Sequence, residues 1–223
     1  GSYWLLNPAK HIKSNVAVGL GVKLPTGKSN IQGNFHKRKT SDGTDTVIVK
    51  AVDQSIQLGD GGVGITFDVQ AYTVLSRRFS LYVNGFYMSN PQETNKTKNR
   101  TTAPATLADS ITQFHSIADQ FALRFGANMV IWPAQGLVFG LGMRAEGVPA
   151  KDVIGGDWGF RRPGYIISVE PSLTYQHGKL GFNVSAPWAL YRNRVKSVSD
   201  LADPAGLRKA HVVGTYINGE KVH

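Results

Sequence analysis

Six histidines, at positions 11, 36, 115, 177, 211 and 223, are the residues around which a metal or acid–base site would be built, and there is no cysteine. Zinc sites use imidazoles and thiolates at short, regular spacings, and no two of these histidines stand at such a spacing. Serine, histidine and aspartate all occur, yet no Gly-x-Ser-x-Gly elbow, phosphate-cradling glycine loop or His-Glu-x-x-His run gathers them. Asp42, Asp45, Asp53 and Asp60 lie in one polar stretch and offer the carboxylate oxygens that calcium takes, although acidic loop residues are more commonly solvated. The chain therefore reads as a non-enzyme with no cofactor and no metal.

A different set of polar residues does have a spacing. Lys23, Asp68, Gln70, Asn84, Arg124, Arg144, Glu146 and Glu170 all fall on one parity of segments whose other parity is apolar. The clearest case is 121–131, where Phe121, Leu123, Phe125, Ala127, Met129 and Ile131 alternate with Ala122, Arg124, Gly126, Asn128 and Val130. Period two places the two sets on opposite faces of a strand. The design recurs over 16–24, 65–75, 79–85, 137–145, 165–175 and 180–190, and weakly over 210–218, which predicts at least eight strands. Residues 3–6 read as the tail of one more. Helix is expected at most for a turn or two within 107–120.

The connections alternate between tight turns, near 76–78, 133–135 and 177–179, and long segments at about 25–62, 89–118, 147–163 and 192–209. Structureless loops of that length are uncommon in compact soluble domains and usual in outer-membrane barrels. The polar parity carries Gly19, Gly21, Gly126, Gly140, Gly142 and Gly181, where a water-facing strand would carry lysine, glutamate and threonine. Glycine weakens a strand, so its repetition points to crowding inside a closed surface. Tyr165, Tyr175, Trp132, Trp188, Phe79 and Tyr87 fall near predicted strand ends, where interface girdles belong. A mean hydropathy of -0.19 fits this reading, because a barrel strand shows only alternate residues to lipid.

The fold expected is thus all-β, an antiparallel up-and-down transmembrane barrel over residues 1–223. The half-strand at its start predicts that N-terminal strands precede it in an intact barrel of about twelve. The eight polar residues would face the lumen. The expected partners are the bilayer with its lipopolysaccharide and a small permeant, and the expected location is the bacterial outer membrane. Two alternatives stand beside the pore: a barrel with a blocked lumen whose loops bind a partner, and a soluble lipocalin-like carrier with its apolar face inward. Nucleic acid is not expected despite the net charge of +10. The basic run His36-Lys37-Arg38-Lys39 and Lys96, Lys98 and Arg100 sit in polar connections with no aromatic interleaving.

Asn15-Val16-Ala17-Val18-Gly19-Leu20-Gly21-Val22-Lys23-Leu24-Pro25-Thr26-Gly27-Lys28 resembles a signature strand and turn of the outer-membrane porin family named for a phenol-degradation pathway. Asp53-Gln54-Ser55-Ile56-Gln57-Leu58-Gly59-Asp60-Gly61-Gly62 is similar to the Gln-Pro-Gly-x-Gly lead-in to that family's next strand, with Leu58 where proline is usual. The looser pattern extends to about residue 194, and the tail from Val195 departs from it. The resemblance implies passage of small, aromatic or apolar molecules across the outer membrane.

Overall fold

The computed structural model describes residues 1–38, 43–99, 103–203, 216–217 and 220–221. In chain order the strands are β1 (Ser2–Trp4), β2 (Ser14–Lys23), β3 (Gln32–Arg38), β4 (Asp45–Ala51), β5 (Gly64–Val74), β6 (Phe79–Ser89), β7 (Thr94–Lys98), β8 (Phe114–Ser116), β9 (Gln120–Trp132), β10 (Leu137–Val148), β11 (Gly164–His177), β12 (Leu180–Ser185), β13 (Trp188–Arg194), β14 (Tyr216–Ile217) and β15 (Glu220–Lys221). The protein is mostly antiparallel sheet with few helices. The main sheet has eleven strands in the order β1-β2-β5-β6-β9-β10-β11-β13-β14-β15, with β12 beside β11. Among the described residues no ladder joins β1 to the far end, so the sheet is open where a closed barrel was expected. No described helix is long and apolar enough to cross a membrane, which says nothing of strands.

The alternation read in the sequence translates directly into side-chain placement. Phe125, Leu141 and Phe182 are 48%, 50% and 59% exposed, whereas Glu170 on the other face is 2% exposed. The buried apolar side chains among the described residues are only Ala17, Met88, Ile111 and Ile117. Among the described residues the largest fully buried side chains gather at one end, among Ile117, His115, Ser116, Asp119, Asn90 and Pro163, with Ile111 beside them in the helical turn before β8. That end is where β2, β6 and β10 finish and β5, β9 and β11 start, the end with the long connections.

Three sequence expectations change. The segment 25–62 contains the β3–β4 hairpin and 89–118 contains the β7–β8 pair, so neither is structureless. Both escape an alternation test because β3 ends in a run of polar and basic residues and β7 has no apolar parity. Helices α1 (Leu107–Ile111) and α2 (Val198–Ala202) each open with a capping box, Thr106 with Asp109 and Ser197 with Asp200, and lie against each other. The run 180–190 continues to Arg194 as two strands that share one register against β11 as far as Ala189, with Ser185 opposite Ser172 and Trp188 opposite Val169, and a bulge beyond it sets Tyr191 opposite Ile167. Pro187 has no N–H for the ladder, hence the break. Trp188 is the first residue of β13. Most of the strand expected over 210–218 lies outside the described residues; Ile217 bridges Arg194 in parallel.

Crowding explains the glycines at the sheet's centre. A Cβ on Gly126 would lie 2.5 Å from the Leu141 carbonyl oxygen and 2.6 Å from the Gly142 Cα, and one on Gly142 would meet the Tyr82 hydroxyl. Tyr82, Gly126 and Gly142 stand in one cross-strand row, so the phenol lies over both glycines. Gly126→Ala is expected to cost about 1–3 kcal/mol, the usual range for overpacking. Urea unfolding of the purified protein checks this. Because the obstacle includes the β10 backbone, adding Tyr82→Ala should fail to restore stability; full rescue would show that only the phenol was in the way.

Candidate functional site

Cross-strand pairing brings the eight sequence-selected residues onto one face. Gln70, Asn84, Arg124, Arg144 and Ser168 form one row across β5, β6, β9, β10 and β11. Asp68 and Glu146 belong to the neighbouring row through Phe86 and Ala122, and Glu170 stands opposite Gly142. Lys23, at the end of β2, shares the parity of Gly19, the partner of Asp68.

Arg124 and Arg144 are direct register partners, an unfavourable placement for two cations. Each is neutralised by a carboxylate. Arg124 reaches over Gly142 and donates from Nε (2.9 Å) and Nη2 (2.6 Å) to the two oxygens of Glu170, and Arg144 donates from Nη2 to Glu146. The face thus carries alternating, internally compensated charge, while Asp68 keeps an unpaired carboxylate among the described residues. Lys23 points away from this row toward the loop end, donating to Asp60 and to Asn90 Oδ1 (2.7 Å).

Over that end sits a hydrogen-bonded cap that sequence reading missed. Arg161 donates two 2.8 Å hydrogen bonds to Asp152, one to each oxygen, and both side chains are buried. The Asp152 carboxylate also accepts from the Asp119 N–H (3.0 Å). The fully buried Asp119 accepts from the Asn90 N–H (2.6 Å), the Tyr87 hydroxyl (2.8 Å) and the Val153 N–H (2.9 Å). These bonds tie the ends of β6 and β9 to the 147–163 segment. Burial raises the Asp152 carboxyl above its ordinary range, and the Arg161 hydrogen bonds oppose that. The available signal was thin: aspartates and an Arg-Arg pair in glycine-rich connections, which read as solvated.

The first long connection docks onto the same cap. Gln54 donates to the Ser116 carbonyl (2.5 Å), and Arg162 donates to Asp53 from both terminal nitrogens (3.2 and 2.8 Å). The Arg162 hydrogen bonds, with those from Ser55, hold the Asp53 carboxyl well below the usual carboxylate range. Gly27 and Gly59, from the two segments that carry the family resemblance, pack backbone to backbone with space for no Cβ on either. Asp45, Asp53 and Asp60 each pair with a different side chain (His36, Arg162 and Lys23), so they do not gather as a calcium site; Asp42 lies outside the described residues.

His115 is buried against Phe160 with Nδ1 unpartnered among the described residues, and desolvation lowers its pKa. A histidine depressed in the folded state stabilises fully above the unfolded value, near 6.5, and that contribution is lost as pH falls below it. Amide exchange at Ser116 and Phe160 is therefore expected to accelerate as pH drops from about 7 to 5, beyond the intrinsic pH effect, and His115→Phe should flatten that response. An unchanged pH response in the variant would remove His115 as its cause.

Fold and site together define an all-β protein whose charged face is internally compensated and whose apolar face is exposed. No family model, no curated protein and no solved structure matches this chain.

Proposed function

We propose that this chain forms the wall of an outer-membrane β-barrel that passes small molecules, with Lys23, Asp68, Gln70, Asn84, Arg124, Arg144, Glu146 and Glu170 on its lumen side. The observation that carries the reading is the inversion of burial across a single sheet. The apolar parity is the exposed one, and the charged parity buries Glu170 and Ser168. Water would penalise so large a continuous apolar surface, while acyl chains would accept it. A soluble carrier would bury the apolar parity instead. The resemblance of 15–28 and 53–62 to the porin family supports the same reading and makes small aromatic or apolar molecules the expected permeants.

A second reading, a barrel with a blocked lumen that serves a structural or partner-binding role, is favoured by the buried Asp152–Arg161–Asp119 cap. Reconstitution in planar bilayers separates the two. The pore reading expects stepwise currents, and Asp68→Asn, which breaks no described ion pair, should shift the reversal potential toward anions. A correctly inserted but silent protein supports the blocked barrel. Recovery from the aqueous fraction without detergent would overturn both.

A further inference from the structure

The two ends of the main sheet differ in charge. At the end with the tight turns, the segments 5–14, 74–80, 130–137 and 175–181 contain no aspartate or glutamate, so all fifteen acidic residues lie elsewhere. The same segments hold Lys10, Lys13, Arg77, Arg78 and Lys179, every one exposed. Four of these five meet at one corner. β2 pairs with β5, and the Val74 N–H donates to the Lys13 carbonyl (2.6 Å), which sets the 7–13 turn beside the 75–78 turn. None of the four has an ion pair among the described residues. The strand carboxylates Asp68 and Glu170 stand six and seven residues inside the ends of β5 and β11. That is about 20 Å along a strand, more than twice the screening length at physiological salt. Cations so gathered repel one another, and an anion from outside the chain relieves the repulsion.

Exposed apolar side chains stand among these cations. Ile12, next to Lys13, is 72% exposed, and Leu75, two residues before Arg77, is 64% exposed. A groove of about 300 Å³ opens at the same corner across β2, β5 and β6, lined among others by Ser14, Val16, Ala71, Thr73, Leu81 and Val83. These six form two cross-strand rows on the apolar parity, Ser14–Thr73–Leu81 and Val16–Ala71–Val83. A free phosphate or a nucleic acid leaves such an apolar surface uncovered, whereas a ligand with an anionic head and an acyl tail covers it and meets the cations as well.

We propose that this corner binds an anionic glycerophospholipid, its phosphate held by Lys10, Lys13, Arg77 and Arg78 and one acyl chain lying in the groove over β5. The tight turns of outer-membrane barrels lie on the periplasmic side, so the lipid belongs to the leaflet on that side. The proposal rests on the membrane reading above, and not on whether the lumen conducts.

Native mass spectrometry of the full chain in a neutral detergent is the test, with dioleoyl phosphatidylglycerol and dioleoyl phosphatidylcholine titrated separately. The two lipids share their acyl chains and differ in net charge, so the first should bind roughly tenfold more tightly. Lys10→Gln, Lys13→Gln, Arg77→Gln and Arg78→Gln together should erase that preference, whereas Lys37→Gln with Arg38→Gln, at the loop end, should leave it intact. Ala71→Phe, which fills the groove without changing charge, should weaken both lipids several-fold, and glycerol 1-phosphate, which has no acyl chain, should not bind. Equal binding of the two lipids by the unaltered chain, or a preference that survives in the fourfold variant, overturns the proposal even if Ala71→Phe fails to fold. Bilayer currents are read separately. A conducting barrel with no lipid preference overturns this surface and keeps the pore, and a silent barrel that prefers phosphatidylglycerol does the reverse.

Discussion

Asp152→Ala is expected to release the cap from the strand ends. It removes both carboxylate acceptors of Arg161, whose side chain is 2% exposed and keeps only the Gly156 carbonyl (3.2 Å), and the acceptor of the Asp119 N–H. Breaking a buried ion pair by deleting one partner leaves an uncompensated charge, at about 3–5 kcal/mol. The loss should appear as local opening, since the β9–β10 and β10–β11 ladders do not depend on this pair. Amide exchange at Asp119 and Val153 should rise by on the order of a hundredfold or more, and protease should cut within 149–163, while the centres of β9, β10 and β11 stay protected. Arg161→Ala should do the same, and Arg161→Met combined with Asp152→Ala should recover much of the loss, because neither charge of the pair is then left without the other. Unchanged exchange at Val153 in Asp152→Ala would show that the cap is held by other contacts.

The second large effect is expected at the centre of the charged face and is asymmetric. In Arg124→Ala, Glu170 keeps a carboxylate that is 3% exposed and has lost two charge-assisted hydrogen bonds. In Glu170→Ala, Arg124 is left 40% exposed even before it moves and can turn toward water. Arg124→Ala should therefore cost about 2–3 kcal/mol, short of the fully buried case, and Glu170→Ala distinctly less. Urea unfolding in detergent, followed by gel mobility of folded and unfolded forms, measures both. Equal losses, or a larger loss for Glu170→Ala, would contradict the burial difference on which the argument rests. Arg124→Ala combined with Glu170→Gln should recover part of the loss, which separates an unpaired charge from lost packing.

The strands themselves were legible because period two is a local property. Phe125 and Arg124 differ in parity, and any pleated backbone sends them to opposite faces whatever lies beside the strand. The same rule placed the eight polar residues on one face before any pairing was known. It failed where local pattern and final structure part company. The hairpin at 32–51 escapes it because one of its strands is mostly polar, and the break between β12 and β13 escapes it because Pro187 removes a ladder N–H without changing the parity of the apolar residues around it.

Sequence by itself determined the long strands of the main sheet, the apolar and charged parities, and the need for glycine at the crowded positions, since each follows from geometry within a few residues. Tertiary structure alone decided which charges pair and where the interior lies. Arg124 meets Glu170 across a strand 46 positions on, and the cap joins Asn90, Asp119, Asp152 and Arg161, because antiparallel pairing sets distant segments side by side in a register that no single segment encodes.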